Sequence, residues 1–254
     1  MKIKHIFLFF LLTLIGACSD NSKKDYDLII RNGLIYDGSG NAPISSDIAI
    51  NGSFIALIGD LSNSTAKKEV NVEGMAVAPG FINVLSWATQ PLIIDGRAMS
   101  DIKQGVTLEI MGEGRSMGPL NESMKIREKN RQSNIKYDIK WTTLGEYLDF
   151  IVKQGVSVNV ASYVGATTIR VHELGYEDRA PTSDELERMK QLVRNAMREG
   201  ALGVGSSLIY TPANFAETDE LIALVSAAAE YNGRYISHLR SEANKLEEAV
   251  LELI

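Results

Sequence analysis

From Gly80 onward, short apolar runs alternate with longer helical stretches, and this alternation constrains the fold more than any other feature of the chain. The strand candidates are Phe81–Leu85, Val106–Met111, Val156–Tyr163, Leu202–Ser206 and Tyr235–Ser237. The helix candidates are Thr142–Lys153, Ser183–Glu199, Glu217–Asn232 and the stretch from Ser241 onward. Parallel strands need crossovers, and helices of this length supply them. The pattern predicts an α/β fold, and both a doubly wound sheet and a (β/α) barrel satisfy it. The helix at Ser183 shows the local logic. Ser183 can cap it, acidic residues fill its first turn, and Leu186, Met189, Leu192, Val193 and Ala196 form one apolar stripe before Gly200. About five βα units fit between Gly80 and Ile254, whereas a complete eightfold barrel takes roughly 250 residues. The chain also stops inside a helical stretch, Leu246–Ile254. If the fold is a barrel, the expectation is an N-terminal part of one.

Residues 26–79 follow a different grammar. Asp27–Arg31 reads as a strand, Asn32-Gly33 as a hairpin turn and Leu34–Tyr36 as the return strand. Asp47–Ile50, Asn51-Gly52 and Phe54–Ile58 repeat that pattern, and Glu69–Val72 and Met75–Ala78 add short strands. Such elements bury little by themselves, so a small β-sandwich packed against something larger is expected.

The N-terminus reads as an address. Lys2 and Lys4 form a positive head, Ile6–Ile15 is almost wholly apolar, and Gly16, Ala17 and Cys18 follow. A spanning helix needs about 20 apolar residues, more than this core has. An export signal fits instead, and His5 belongs to it. Ile15-Gly16-Ala17-Cys18 resembles a bacterial lipobox, in which Cys18 carries lipid and becomes the first mature residue. The expected layout is a lipoprotein signal peptide over 1–18, a tether over 19–25, a sandwich over 26–79 and barrel elements over 80–254. The expected location is exported and membrane-anchored, periplasmic or cell-surface. Cys18 is the one cysteine, which excludes a disulfide framework or a cysteine-rich zinc site within the chain. Lys+Arg of 26 against Asp+Glu of 32, with no basic run, excludes a polybasic nucleic-acid binder. A hydrophobic share of 45% at net charge -6 excludes a disordered chain.

Four stretches, in order, carry a family resemblance. Val77-Ala78-Pro79-Gly80-Phe81-Ile82-Asn83 resembles the opening of the first barrel strand in the amidohydrolase superfamily. Gln104-Gly105-Val106-Thr107 is similar to the entry of the second strand, Glu199–Pro212 to the fourth-strand segment, and Tyr235–Glu242 to the fifth strand with its histidine. Together they resemble the N-acyl-D-amino-acid deacylase (D-aminoacylase) family from about Tyr26 to the end. The resemblance implies a small β-sandwich plus a (β/α)8 TIM-like barrel, the barrel incomplete in this chain. Two stretches depart from the family pattern. Leu85-Ser86-Trp87 stands where the superfamily has His-x-His, and Asn83 replaces the preceding acidic residue. Leu and Trp cannot ligate a metal, so a binuclear centre cannot be built from this strand. Glu113, in Met111-Gly112-Glu113-Gly114-Arg115-Ser116, stands where the family places a cysteine ligand, allowing for a one-residue gap.

A hydrolytic zinc site needs three protein ligands and one open position, and carboxylate oxygen can replace thiolate. Glu113 and His238 both sit at predicted strand ends, on the face where barrel enzymes hold their chemistry. The resemblance implies that they ligate one divalent ion, zinc. It places a third ligand and the general base beyond Ile254, and leaves the isolated chain inactive. The implied enzyme is a hydrolase of carbon–nitrogen bonds other than peptide bonds. It would deacylate a small-molecule substrate, an N-acyl-D-amino acid or similar linear amide, by a metal-activated water. Arg240 is a candidate for holding the substrate carboxylate, and Tyr210 for a substrate contact. Two other functions stay open. One is a non-catalytic, surface-tethered binding protein with an amidohydrolase shell; the other is an amidohydrolase of cyclic amides or isoaspartyl dipeptides. His172 matches no site pattern, and Trp87 either walls the pocket or fills the core. Gly203-Val204-Gly205-Ser206-Ser207 lacks the lysine of a phosphate loop.

Overall fold

The computed structural model describes residues 24–254; Cys18, the signal segment 1–18 and the tether before residue 24 lie outside the described residues. The described chain divides between Pro79 and Gly80 into two compact units. Among the described residues, no helix is long and apolar enough to cross a membrane.

In the first unit, β1 (Tyr26–Ile35), β2 (Ile44–Asn51), β3 (Phe54–Gly59), β4 (Ala66–Asn71) and β5 (Ala76–Val77) form one mixed sheet. Its order is β3-β2-β1-β4, with β5 also on β1. Asn51-Gly52 closes the β2–β3 hairpin, as the sequence predicts. Asn32-Gly33 does not turn the chain. β1 runs through it, and its register against β2 shifts between Ile30 and Gly33. Asn32 adopts φ 59°, which Asn tolerates better than most residues. The dipeptide is therefore a bulge, which lets β4 and β5 share one flank of β1 in parallel. Arg31 fastens the unit, donating to Asp47, Glu69 and the carbonyls of Leu61 and Ser64. Ile29, Ala49, Leu61 and Ala66 make the small core. The described strands form a single layer, with Ile44, Phe54 and Ile55 exposed.

The second unit is built on parallel strands. β6 (Phe81–Asn83), β7 (Val106–Met111) and β8 (Asn159–Ser162) form one ladder; β9 (Val164–Gly165), β10 (Gly203–Ser207) and β11 (Arg234–His238) form the other. β8 and β9 are one strand broken at Tyr163, whose N–H donates to the Met111 carbonyl at 2.8 Å. Strands adjacent in sequence are adjacent in space, the order of a barrel wall rather than of a doubly wound sheet, where the order reverses. The helices are α1 (Pro91–Ile94), α2 (Met99–Ile102), α3 (Glu122–Arg131), α4 (Leu144–Gln154), α5 (Ala166–Leu174), α6 (Ser183–Arg198), α7 (Thr218–Ala229) and α8 (Leu246–Leu253). α4 and α6 open with capping boxes, Thr143 with Glu146 and Thr182 with Glu185. Thr182 caps α6 in place of Ser183, because the reciprocal bond needs a glutamate three positions on. Trp141, Tyr147, Ile151, Ile169, Met189, Val193 and Leu224 are buried in the core. Within it, Arg170 pairs with Glu220 and also donates to the carbonyls of Glu177 (3.1 Å) and Arg179 (2.6 Å). This joins α5, α7 and the loop before α6.

One loop sets the functional end of this unit. After β7 the chain turns at Gly112 (φ 98°) and Gly114 (φ 73°), a region that side chains disfavour. A Cβ on Gly112 would stand 2.0 Å from the Tyr163 carbonyl oxygen. The loop then lies against two further glycines. A Cβ on Gly205 would meet the Gly112 carbonyl oxygen at 2.4 Å, and one on Gly165 the Gly114 carbonyl oxygen at 2.4 Å. Hydrogen bonds lock the contact: Thr167 N–H to the Gly114 carbonyl (2.9 Å), Gly165 N–H to Ser116 Oγ (2.9 Å) and Ser116 N–H to Thr168 Oγ1 (2.9 Å).

Gly112→Ala is expected to lower unfolding stability by about 2 kcal/mol or more, from positive-φ strain plus overlap with backbone; a shift in the urea midpoint checks it. Glu220→Ala strands a buried guanidinium and is expected to cost about 3–5 kcal/mol in the same assay.

Candidate functional site

Glu113 sits between the two turn glycines at the C-terminal end of β7, carried by the loop across the end of β10. His238 ends β11, paired in register with Ser207 of β10. The two side chains lie within electrostatic reach at the same end of the sheet. Burial pushes the Glu113 carboxyl above the ordinary carboxylate value; the His238 imidazole opposes that shift, and Glu242 adds to it. His238 Nδ1 is buried without a hydrogen-bond partner, although Glu242 Oε1 is 3.5 Å away. Ser207 Oγ beside it is likewise buried and unpartnered. Tyr210 stands edge-on to the His238 ring, with centroids 5.3 Å apart at 70°. A half-buried carboxyl, an unpartnered imidazole nitrogen and an unpartnered hydroxyl thus lie at the same end of the strands. Among the described residues, no group of three or more His, Cys, Asp or Glu side chains could hold a metal ion.

Arg240 is placed differently from the expectation. Its Nε and Nη2 grip Glu252 of α8 at 2.9 and 2.7 Å. Nη1 and Nη2 also donate to the carbonyls of Asn214 and Ala216. The guanidinium is committed to holding α8 and the 213–216 turn, so it presents no free fork to a ligand. The competing carboxylate lies on a helix that the sequence pattern does not bring to β11. His172, near the end of α5, pairs with Glu173, which Arg188 also holds.

A cavity of about 540 Å³ opens beside Glu113. Trp87 lines it, so the residue standing in the superfamily's second histidine position is a pocket wall. Ser86, between Leu85 and Trp87, donates to Glu109 Oε2 at 2.5 Å. Glu109 is fully buried, and burial raises its pKa against the opposing Ser86 bond. The sequence analysis misses this pair. Its one signal is a lone glutamate inside the apolar run Val106–Met111.

No family model matches the chain. It is 31% identical over 238 residues to the D-aminoacylase of Alcaligenes xylosoxydans xylosoxydans, which covers 92% of this chain and 48% of that protein. A D-aminoacylase structure concerned with a binuclear metal centre, activated by one metal and attenuated by the second, aligns with TM-score 0.80 at 28% identity. That alignment covers 89% of this chain and 48% of the other. The N-acyl-D-glutamate deacylase of Bordetella bronchiseptica, complexed with zinc and a phosphonate mimic of the tetrahedral intermediate, aligns with TM-score 0.79 at 28% identity, over 91% and 48% of the two chains. The chain thus spans about half the length of the relatives it matches. Together the sequence likeness and the shared fold place the chain in the amidohydrolase superfamily, in the family of the D-aminoacylases and N-acyl-D-amino-acid deacylases.

Proposed function

We propose that this chain is part of a metal-dependent hydrolase that deacylates N-acyl-D-amino acids. The observation that carries the reading is that Glu113 and His238, with its unpartnered Nδ1, lie within electrostatic reach at the same end of the strands, in a chain 31% identical to a D-aminoacylase. Glu113 and His238 would hold one divalent ion, zinc, together with a ligand outside this chain. Leu85 and Trp87 offer no donors for a second. Such an ion polarises an acyl carbonyl and acidifies water. The chain's own residues supply the surroundings. Burial keeps Glu113 away from competing solvent, the Tyr210 edge orients the His238 ring, and the 540 Å³ cavity receives one arm of the substrate.

The proposal extends to architecture and location. The five strand positions from β6 to β11 would form part of an eightfold barrel; the exposed Phe81, Ile82 and Val84 along the β6 side support a further partner there. The apolar face carrying Ile44, Phe54 and Ile55 would be one layer of a β-sandwich. Residues 1–18 would export the protein, and lipid on Cys18 would anchor it; support for this is the sequence alone.

In the full-length protein, Glu113→Ala and His238→Ala are each expected to reduce bound zinc well below one equivalent and to lower amino-acid release from N-acetyl-D-leucine by about a hundredfold or more. Zinc bound normally by both variants, or no turnover by the wild type, would reject the reading. Radiolabelled fatty acid should enter the protein in cells and be lost in Cys18→Ala; label retained in that variant counts against the anchor.

A further inference from the structure

Three arginines converge on the rim of the cavity beside Glu113 without a carboxylate to balance them. Arg115 follows the Glu113 loop, and Arg127 and Arg131 lie one turn apart on α3; all three line the cavity. None has a salt-bridge partner among the described residues. Seven of the other arginines each hold a carboxylate. All three surround Tyr176. Arg115 Nη2 donates to its hydroxyl at 3.4 Å, and Arg127 Cζ stacks 3.9 Å from its ring centroid. Burial would raise the Tyr176 pKa, yet the Arg115 hydrogen bond and the charges of Arg115, Arg127 and Arg131 hold it below the ordinary value. The phenol thus reports a positive field.

Packing does not explain the arrangement. On α3 Met124 packs against the core, whereas Arg127 and Arg131 are exposed and make no core contact that would fix them. Like charges one turn apart on a helix repel. The cavity's other carboxylate besides Glu113 is Glu128, which is already engaged by Gln90 Nε2 (3.0 Å) and Tyr137 Oη (3.1 Å). Behind the rim the walls are apolar, with Met117, Leu120, Ile139 and Trp141. An apolar channel ending in unbalanced guanidinium groups suits a short chain with a terminal anion, and guanidinium forks match carboxylates in shape and charge.

We propose that Arg115, Arg127 and Arg131 form a subsite for a carboxylate on the arm of the substrate away from the scissile amide, an acidic side chain or an acidic acyl group. This inference rests on the deacylase reading for the identity of the substrate, but not for the existence of the anion site.

Trp87 and Trp141 both line the cavity, so a fluorescence change that is lost on replacing them with Phe reports its occupancy without turnover. The full-length protein is titrated with succinate, N-acetyl-D-glutamate, N-succinyl-D-leucine and N-acetyl-D-leucine. Succinate is expected to change the fluorescence. At least one of the two acidic-arm amides should bind about tenfold more tightly than N-acetyl-D-leucine, a difference that shrinks with added salt. Whichever shows the gain identifies the arm as side chain or acyl group. The Arg127→Gln/Arg131→Gln double variant should reduce the preference to within about twofold. Arg198→Gln, at an arginine stacked on Tyr231 outside this cavity, should keep it. Equal affinities, a preference that survives the double variant, or no response to any compound would overturn the subsite. Succinate binding that is lost in the double variant, with no amino acid released from any amide, would instead retain the subsite and reject the deacylase.

Discussion

The close approach of backbone to backbone at the end of the parallel strands governs the rest of this molecule. The loop from Gly112 to Ser116 rests directly on Gly165 and Gly205, with no room for a methyl group on either. Four glycines from three strand ends therefore act as one device. Two give the loop its left-handed turns; two remove the side chains that would hold it off the sheet. The N-terminal residues of α5 then clamp the loop through Thr167 and Thr168. Glu113 reaches toward β11 only because the loop lies flat. The glycines of the β10 segment, which read in sequence like a weak phosphate-loop fragment, belong to this contact. Gly203, at φ 148°, also allows β11 to approach, since a Cβ there would overlap the Arg234 carbonyl oxygen at 1.8 Å.

Charge is handled in contrasting ways in different parts of the second unit. In the core, Arg170 is nearly fully buried; its Nη1 meets Glu220 and its Nη2 two carbonyls, while Nε has no partner. At the end of β11, Arg240 is spent on Glu252 and two carbonyls, which fixes the helix beyond the candidate site. These pairings hold elements in place. At the candidate site two buried polar atoms, His238 Nδ1 and Ser207 Oγ, have no partner and sit on neighbouring strands in register, while the rim arginines are exposed and hold no carboxylate. Unpaired buried polar groups cost free energy, which a bound ligand would recover.

The position of the missing superfamily histidines has its own structure. Ser86 takes the middle of the Leu85-Ser86-Trp87 triplet and turns inward to Glu109, while Trp87 faces the cavity. Burial raises the Glu109 carboxyl against the opposing Ser86 hydrogen bond. The strand that ligates metal in relatives of the superfamily pattern is here a piece of wall and packing.

Local order was legible in the sequence. The alternation of apolar runs and helices specified parallel strands, but not whether their order was that of a barrel or of a doubly wound sheet. The run Thr142–Lys153 marked α4, and the family resemblance singled out Glu113 and His238. Where a signal served two purposes, the reading was ambiguous: Asn32-Gly33 forms a bulge although the same dipeptide makes a hairpin at Asn51-Gly52. α3 was hidden because only Met124 of it packs against the core, so it carries no apolar stripe. Partnership was decided by tertiary structure alone. Arg240 meets Glu252, Arg170 meets Glu220, and Arg115 meets the Tyr176 hydroxyl and no carboxylate, although each has acidic residues close by in sequence. Periodicity and capping are written in neighbouring residues, whereas a hydrogen bond forms only between atoms that folding brings to about 3 Å, whatever their separation along the chain.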